Sequence, residues 1–395
     1  MQSILISWAE LLVRWVHVIA GIAWIGSSFY FIALDAGLKL SPRLDPRVHG
    51  EAWQVHGGGF YHVQKYRVAP EFLPAELTWF KWEAYSTWLF GFALLVLTYY
   101  LNPSLYLIDP EVAALSPAQA VGIGLGAIVA GWLLYDGLCR SPLGRRPPTL
   151  IAVSLVLLTA ASWGFAHVFS GRGAYIHMGV LVGTIMVANV FLVIIPNQKR
   201  IVAALIAARP VDPVLSWQGK QRSLHNNYLT LPVIFTMLSN HAPFTYARPN
   251  GWLVLLAVFV SGFLIRHHFN LTHAGKPPQR WLWPAAAGAL LGGLVLGMPP
   301  GWRARAAGPV TFQEVQGIIN ERCAVCHSAR PRFAGLSEPP KGISFDTPGQ
   351  IAALSPNIYA QVVTTRAMPL NNLTHITEEE RVRLALWVQQ GAATQ

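Results

Sequence analysis

The chain has 395 residues, of which 53% are hydrophobic and only 12% are charged, and its formal net charge is +11. This composition excludes an ordinary soluble globular domain and is typical of an integral membrane protein. Residues 308–395 carry seven basic and seven acidic side chains, so the excess positive charge belongs to the rest of the chain. Basic loops at an anionic membrane surface account for that charge, and no nucleic-acid partner is needed.

Eight apolar segments are long enough to cross a bilayer core of about 30 Å as helices. They are residues 11–34, 85–101, 118–138, 149–169, 174–195, 224–242, 252–270 and 281–298. Each loop takes the number of the segment that it follows. The odd-numbered loops, with Arg266, hold seventeen Lys and Arg residues, and these loops are residues 35–83, 139–148, 196–223 and 271–280. The even-numbered loops between the other segments hold only Arg172 and Arg248. The positive-inside rule therefore places both termini outside. The predicted fold is an all-α, polytopic membrane bundle of eight transmembrane helices.

The loop between the first two segments, residues 35–83, is long, aromatic and rich in histidine. Its candidate catalytic residues are His56, His62, Lys65 and Glu83. Three consecutive glycines permit close backbone approach. Cations, imidazoles and aromatic faces together suit a flat polar anion that exchanges protons. The alternative is an amphipathic re-entrant loop that only packs at the membrane interface.

Histidines of the membrane segments fall into two layers by depth. The outer layer consists of His17, His167, His177 and His241. Neutral imidazoles from facing helices are suitable ligands of haem b, so these four residues are candidate haem b ligands. Hydrogen-bonded packing is the alternative for each of them.

The sequence divides into a membrane domain, residues 1–298, a linker, residues 299–309, and a small class I-like cytochrome c domain, residues 310–395. Cys323, Cys326 and His327 match C-x-x-C-H, the attachment signature of covalent haem c. The two thiols would bond the porphyrin and His327 would be one axial ligand of the iron. Met368, the only methionine after the linker, is the candidate for the other.

One helix is predicted before the haem motif and one after it. Residues 311–322 precede it, and Thr377 with Glu380 forms a capping box that opens a final helix. A zinc site is an alternative for the motif, but it needs four ligands, and the remaining cysteine, Cys139, is far away in the sequence. A C-x-x-C disulfide is the other alternative, although no strand-then-helix unit surrounds the motif.

Several motifs together resemble a known family. They are Trp15-Val16-His17 with Gly21-Ile22-Ala23-Trp24-Ile25-Gly26, the block 55–62 with 80–85, Gly171-Arg172-Gly173-Ala174, Ile195-Pro196-Asn197-Gln198, Ser239-Asn240-His241 and the haem motif. Over nearly its full length, the chain resembles the bacterial membrane-bound urate oxidases, also called urate hydroxylases, with a fused C-terminal cytochrome c.

This resemblance implies urate as the substrate, 5-hydroxyisourate as the product and haem c as the electron acceptor. A periplasmic cytochrome or a terminal oxidase would take the electrons onward. We expect a multi-pass protein of the bacterial inner membrane with both termini in the periplasm, where haem is attached covalently.

The position of the urate pocket stays open between two sides of the membrane. A pocket in the loop 35–83 would be separated from haem c by a bilayer core of about 30 Å, so it would require haem b as a relay. A pocket near Arg14 and His17 would require none. Two other functions remain: quinol-to-cytochrome c electron transfer, and a transport or anchoring module with a redox-sensing cytochrome.

Overall fold

The computed structural model describes residues 2–298 and 310–394, and the predicted linker at 299–309 lies outside them. The chain is 68% helical. The α-helices are α1 Gln2–Gly37, α2 Trp82–Leu95, α3 Pro103–Tyr106, α4 Pro117–Arg140, α5 Pro147–Ala166, α6 Gly171–Ala188, α7 Ile195–Ile206, α8 Pro213–Leu238, α9 Gly251–His273, α10 Leu282–Gly297, α11 Phe312–Arg322, α12 Pro348–Ala353, α13 Ser355–Ile358 and α14 Glu378–Gln389. Three π-helical turns, Val96–Tyr100, Asn189–Ile194 and Tyr359–Thr364, continue α2, α6 and α13.

Each of the eight predicted membrane segments overlaps a helix of this set. Within the described residues, five helices are long and apolar enough to cross a membrane: Ile4–Gly37, Pro117–Arg140, Pro147–Ala166, Gly171–Ile206 and Gly251–His273. α10 is a shorter apolar helix. α2 and α8 contain the second and sixth predicted segments but are not among the five; α8 carries polar residues along much of its length. The structure therefore supports a membrane protein with at least these five candidate spans.

Apolar side chains cover much of the outside of the bundle. On α1, Trp8, Leu11, Trp15 and Ile22 are each more than half exposed. A continuous apolar surface of this kind needs an apolar environment, since it would drive association in water. The outer surface is thus consistent with lipid contact.

α6 is the central helix of the bundle and packs against α2, α4, α5, α8 and α9. Its residues Met178 and Val182 are fully buried. Gly179 allows α8 to approach closely, because a Cβ atom at this position would lie 2.2 Å from the Thr236 Oγ1 atom. The tight contact between α6 and α8 therefore requires glycine.

The loop 35–83 contains a β-hairpin, an element that the all-α prediction omits. Strand β1, Val48–His56, pairs antiparallel with β2, Gly59–Tyr66. Gly57 and Gly58 form the two-residue turn, and both have positive φ angles, 59° and 78°. Hairpin turns that match the twist of their strands require such angles, and glycine adopts them without strain.

The residues from 310 onward form a second, smaller core around Val315, Ile319, Leu384 and Trp387. The helix predicted over residues 311–322 is confirmed as α11, with Thr311 as its N-cap. The predicted capping box at the start of α14 is also confirmed. The Thr377 N–H donates to Glu380 Oε2 at 2.7 Å, and the Glu380 N–H donates to Thr377 Oγ1 at 3.2 Å.

Candidate functional site

The C-x-x-C-H motif follows α11 directly and borders the second core. Cys323 is buried, Cys326 is half-buried, and both thiols are free. Burial raises the pKa of the Cys323 thiol to about 12, so it is neutral at physiological pH. The His327 ring donates from Nδ1 to the Ile343 carbonyl at 3.1 Å, which leaves Nε2 available to a ligand. This is the orientation that an axial imidazole requires.

Met368 packs against the same core as Cys323. Its loop is held by the buried guanidinium of Arg381, which donates to the Met368 carbonyl at 3.0 Å and to the Val362 carbonyl. Burial, together with the nearby charge of Arg366, lowers the pKa of Arg381 to about 10, so the group remains charged at neutral pH. The position of Met368 is therefore fixed by a charge-assisted contact.

This donor set fits haem c: two thiols, one oriented imidazole and one thioether around a shared core. Cys323, Cys326, His327 and Met368 would hold the group, which supplies single-electron transfer when bound. Within residues 2–298 and 310–394, no group of three or more His, Cys, Asp or Glu side chains is arranged to hold a metal ion. The zinc alternative consequently lacks the four protein ligands that it needs.

The loop that carries Met368 also contacts the membrane bundle. Asn371 Nδ2 donates to the Leu105 carbonyl of α3 at 2.7 Å. Asn372 Nδ2 and His375 Nδ1 donate to the two carboxylate oxygens of Glu111, before α4, at 2.9 Å and 3.0 Å. The candidate haem ligand therefore lies within a few residues of the junction between the two parts of the chain.

The Glu111 contact predicts that this junction weakens at low pH. Partial burial alone would raise the pKa of Glu111, but the hydrogen bonds from Asn372 and His375 outweigh it and lower the pKa below the ordinary value of 4.5. A carboxyl with a lowered pKa stabilises the contact above its ordinary pKa, and that stabilisation is lost as the pH falls through the lowered value. We expect amide protection at residues 371–376 to fall in this range.

Hydrogen exchange, corrected for intrinsic rates, measures this change. Glu111→Gln is the matched variant, because it keeps the shape of the side chain but does not titrate. Its protection at residues 371–376 should be lower than that of the wild type at neutral pH and independent of acidification. An equal acid dependence in both proteins would contradict the role of Glu111.

The hairpin carries two of the predicted catalytic residues, His62 and Lys65, on opposite faces, since side chains alternate along a strand. His62 Nε2 donates to Glu51 Oε2 at 2.6 Å, and its ring stacks on Trp53 at a centroid distance of 4.1 Å. The Lys65 ammonium instead pairs with Asp35 of α1 at 2.7 Å. Each residue thus already has a separate partner.

The other two predicted catalytic residues lie at different places. His56 is exposed beside the hairpin turn, and Glu83 is half-buried in the first turn of α2. The structure therefore spreads the four candidates along the hairpin and its neighbours, and it does not gather them around one cavity in this conformation.

The four outer-layer histidines also have separate surroundings. Three donate from Nδ1 to a backbone carbonyl: His17 to Thr87 at 2.8 Å, His167 to Trp163 at 2.7 Å and His177 to Gly173 at 2.9 Å. His167 and His241 are exposed, whereas His177 is fully buried. The layer predicted from depth is therefore not a single cluster.

The surroundings of His177 do not fit an iron ligand in this conformation. Because Nδ1 donates to a carbonyl, Nε2 of the neutral ring accepts, and the Tyr100 hydroxyl donates to it at 3.1 Å. A Cβ atom at Gly124 would lie 2.6 Å from the same nitrogen, so no space for a macrocycle remains there. Haem b at this position stays a prediction from the sequence alone.

A polar cluster at the end of the bundle next to the C-terminal region is not among the sites predicted from the sequence. It is built on Arg172, in the first turn of α6, whose Nε donates to the Tyr99 hydroxyl at 3.2 Å and to Asn240 Oδ1 at 3.1 Å. The Tyr99 hydroxyl donates to the same Asn240 oxygen at 2.7 Å. The guanidinium also lies over the rings of Tyr106, at 5.1 Å, and Tyr99, at 5.9 Å.

Arg172 has two properties of an anion-binding residue, which are an unpaired charge and unused donor atoms, among the residues that the structure describes. Among the described residues, no carboxylate forms an ion pair with Arg172, and its hydrogen bonds use only Nε. The cluster also borders the junction, because Tyr106 follows Leu105, which accepts the hydrogen bond from Asn371. A signal was present in the sequence: Arg172 stands between two glycines and is one of two basic residues in the even-numbered loops.

A second buried cluster lies toward the opposite end of the bundle and is charge-paired. Arg222 of α8 is almost fully buried and donates from Nη2 to Asp136 Oδ1 at 2.7 Å and from Nη1 to Asn189 Oδ1 at 3.2 Å. The ring of Tyr135 lies 4.8 Å from its guanidinium, and the Tyr135 hydroxyl is 2.7 Å from His225 Nδ1. Since Asp136 neutralises Arg222, this arrangement favours a structural role.

Comparison with known proteins gives one family match. The model of the family described as "Urate oxidase N-terminal" matches residues 3–297, which include the bundle, the hairpin and the Arg172 cluster. Searches of curated proteins and of solved structures returned no significant match. Because the family model covers about three quarters of the chain, the protein belongs to the urate oxidase N-terminal family.

Proposed function

We propose that the protein is a membrane-bound oxidoreductase that oxidises urate to 5-hydroxyisourate and passes the electrons to a haem c held by residues 310–395. The family membership indicates a urate-related function and an oxidoreductase. The finer proposal includes eight spans in the bacterial inner membrane, periplasmic termini, and onward transfer to a periplasmic cytochrome or a terminal oxidase. The five candidate spans and the haem-binding residues support it.

The observation that carries the proposal is the guanidinium of Arg172 beside the aromatic rings of Tyr99 and Tyr106. Urate is a planar anion at neutral pH, with adjacent oxygen and nitrogen acceptors. Arginine binds such an edge through two parallel hydrogen bonds, and tyrosine rings offer flat faces to the purine. Without a carboxylate partner, Arg172 has an uncompensated charge that this substrate would balance.

The Arg172 cluster places the proposed pocket beside the C-terminal region, on residues other than the Arg14 and His17 expected from the sequence, and we call it the outer pocket. From Tyr106, the chain of contacts runs through Leu105 to Asn371, which is three residues from Met368. Electrons released here have a short route to the haem motif. A pocket at the hairpin would instead need a relay such as haem b across a bilayer core of about 30 Å.

The reaction requires water as well as an electron acceptor. Urate and water give 5-hydroxyisourate, two protons and two electrons, and a haem c held by Cys323, Cys326, His327 and Met368 would accept the electrons one at a time. The chain must hold the purine and accept a proton from the added water. Buried His177 is not assigned to that second role, because its Nδ1 donates to the Gly173 carbonyl and its Nε2 accepts from the Tyr100 hydroxyl. His56, His62, Lys65 and Glu83 remain the candidates for the base.

Anaerobic titration of the purified full chain with urate tests the proposal. We expect reduction of the c-type absorbance by two haem equivalents per urate, with 5-hydroxyisourate as the product. Reduction by a quinol analogue and not by urate would overturn the proposal in favour of quinol-to-cytochrome c transfer. A pyridine haemochrome spectrum of the same sample measures haem b: the outer pocket predicts c-type haem alone, whereas mixed b and c types support the hairpin pocket.

A further inference from the structure

A cavity of about 450 Å³ lies where the last membrane helix meets the C-terminal region. Its polar lining comes from Arg248, before α9, and from Arg366 and Glu378 of the C-terminal region. Its apolar lining comes from the final turn of α10, and Asn250 ties this turn to the Arg248 loop by donating to the Leu296 carbonyl at 3.2 Å. The urate proposal does not use this cavity.

Positive charge exceeds negative charge around the cavity. Arg366 pairs with Glu378, and Arg381 Nε lies 3.9 Å from the same carboxylate, so one acid serves two arginines before Arg248 is counted. Burial and the nearby Arg366 charge lower the pKa of Arg248, and the Glu378 carboxylate offsets this lowering only in part.

Three donor atoms of the lining arginines have no hydrogen-bond partner among the described residues. Nε and Nη2 of Arg248 and Nε of Arg366 are buried and make no hydrogen bond to any residue that the structure describes. Leaving buried charged donors unpaired is costly, so an arrangement of this kind is stable when an anion completes it. Two guanidinium groups facing one space suit the several oxygen atoms of a phosphate group.

An apolar stripe on α10 leads up to these donors. Leu291, Leu294, Val295 and Met298 recur at helical spacing on one face, and each is more than half exposed. A free anion would make no use of such a surface. Acyl chains would cover it, and their attached headgroup would then lie level with Arg248.

We propose that this cavity binds the phosphate headgroup of an anionic phospholipid, which thereby links the membrane bundle to the C-terminal region. The phosphate oxygens accept from Arg248 and Arg366, and the acyl chains lie along the α10 stripe. The lipid supplies negative charge to a cavity at which the arginines outnumber the acid Glu378, while Glu378 limits the charge that can be bound.

Native mass spectrometry of the full chain, purified from mixtures of phosphatidylcholine and phosphatidylglycerol, tests the proposal. We expect one phosphatidylglycerol to be retained by the wild type. Arg248→Gln should lower its affinity about tenfold, the effect of losing one charge-assisted contact. Arg280→Gln is the matched control, since Arg280 is exposed at the opposite end of α10, and it should retain lipid like the wild type.

A variant that binds the lipid more tightly distinguishes loss of the binding site from loss of the fold, because a misfolded protein would not gain affinity. Glu378→Gln removes the acid and frees a guanidinium edge of Arg366, so it should retain phosphatidylglycerol more tightly than the wild type. Equal retention by the wild type and Arg248→Gln would overturn the proposal. Protection of the protein against heat by inorganic phosphate in detergent, to the same extent as by phosphatidylglycerol, would also overturn it by identifying a free anion as the ligand.

Discussion

Arg172→Gln should lower kcat/KM for urate about 100-fold while leaving the haem content unchanged. The substitution keeps the length of the side chain but removes the charge and the two-point donor edge. Losing a charge-assisted contact of about 2.7 kcal/mol corresponds to this factor. Because no described carboxylate pairs with Arg172, its removal leaves no acid unpaired in the bundle. The rate of haem reduction by urate, against urate concentration, measures the effect.

Two further variants identify which pocket is used. Arg172→Lys keeps the charge without the planar edge and should show an intermediate loss. Lys65→Gln, on the hairpin, should remain close to the wild type, since Lys65 already pairs with Asp35. A large loss of kcat/KM in Lys65→Gln, with no loss in Arg172→Gln, would refute the outer pocket and identify the hairpin as the urate site. Reduction by dithionite, equal in all variants, checks that the haem region is intact.

Asp136→Asn should destabilise the bundle by about 3–5 kcal/mol, which is the cost of leaving one partner of a buried ion pair without its counter-charge. Arg222 is the partner at risk, since its side chain is only 3% exposed. Its Nε atom lacks a hydrogen bond within the described residues, and the contacts that would remain, to the Asn189 amide and the Tyr135 ring, carry no counter-charge. The melting temperature in detergent should fall clearly.

A double variant separates loss of the charge pair from loss of packing. Asp136→Leu with Arg222→Met replaces both partners by apolar groups and should recover most of the stability that Asp136→Asn loses. Asp45→Asn, which removes an exposed carboxylate paired with Arg47, should leave the melting temperature unchanged. If Asp136→Asn melts like the wild type, the pair contributes nothing, and a role for this cluster in function becomes the better interpretation.

The sequence predicted those features whose residues are close together in the chain. The helical segments follow from uninterrupted apolar runs, and the haem motif has three of its four ligands within five residues, from Cys323 to His327. Met368 stays the predicted fourth residue of this site because no other methionine follows the linker. The final helix was located by its capping box, which is also a local pattern.

Long-range contacts were the part that sequence reasoning could not supply. Arg172 meets Tyr99 and Asn240 from positions 73 and 68 residues away, and Arg222 meets Asp136 across 86 residues. No periodicity links such residues, because their meeting depends on which helices become neighbours. The histidines were instead grouped by depth alone, although residues at one depth can face different helices.

The hairpin is an instructive omission, because its signal is local. Gly57 and Gly58 lie between two runs of alternating aromatic, aliphatic and polar residues, which is the pattern of a tight hairpin. From the sequence, the glycines permit both close backbone approach and positive φ angles, but the sequence analysis assigns no hairpin turn to them. Their positive φ angles serve the turn instead, and they hold His56 at an exposed tip.

The π-helical turn at Asn189–Ile194 makes the junction of α6 and α7 tolerant of a change in chain length. A π-turn accommodates one residue more than an α-turn. Deleting a single residue here would restore regular winding and leave the side chains of Ile195–Ile206 in nearly their present orientation, so that buried Asn197 would keep its partner Gln218. A deletion of one residue in the regular part of α6 would instead rotate everything after it by about 100°.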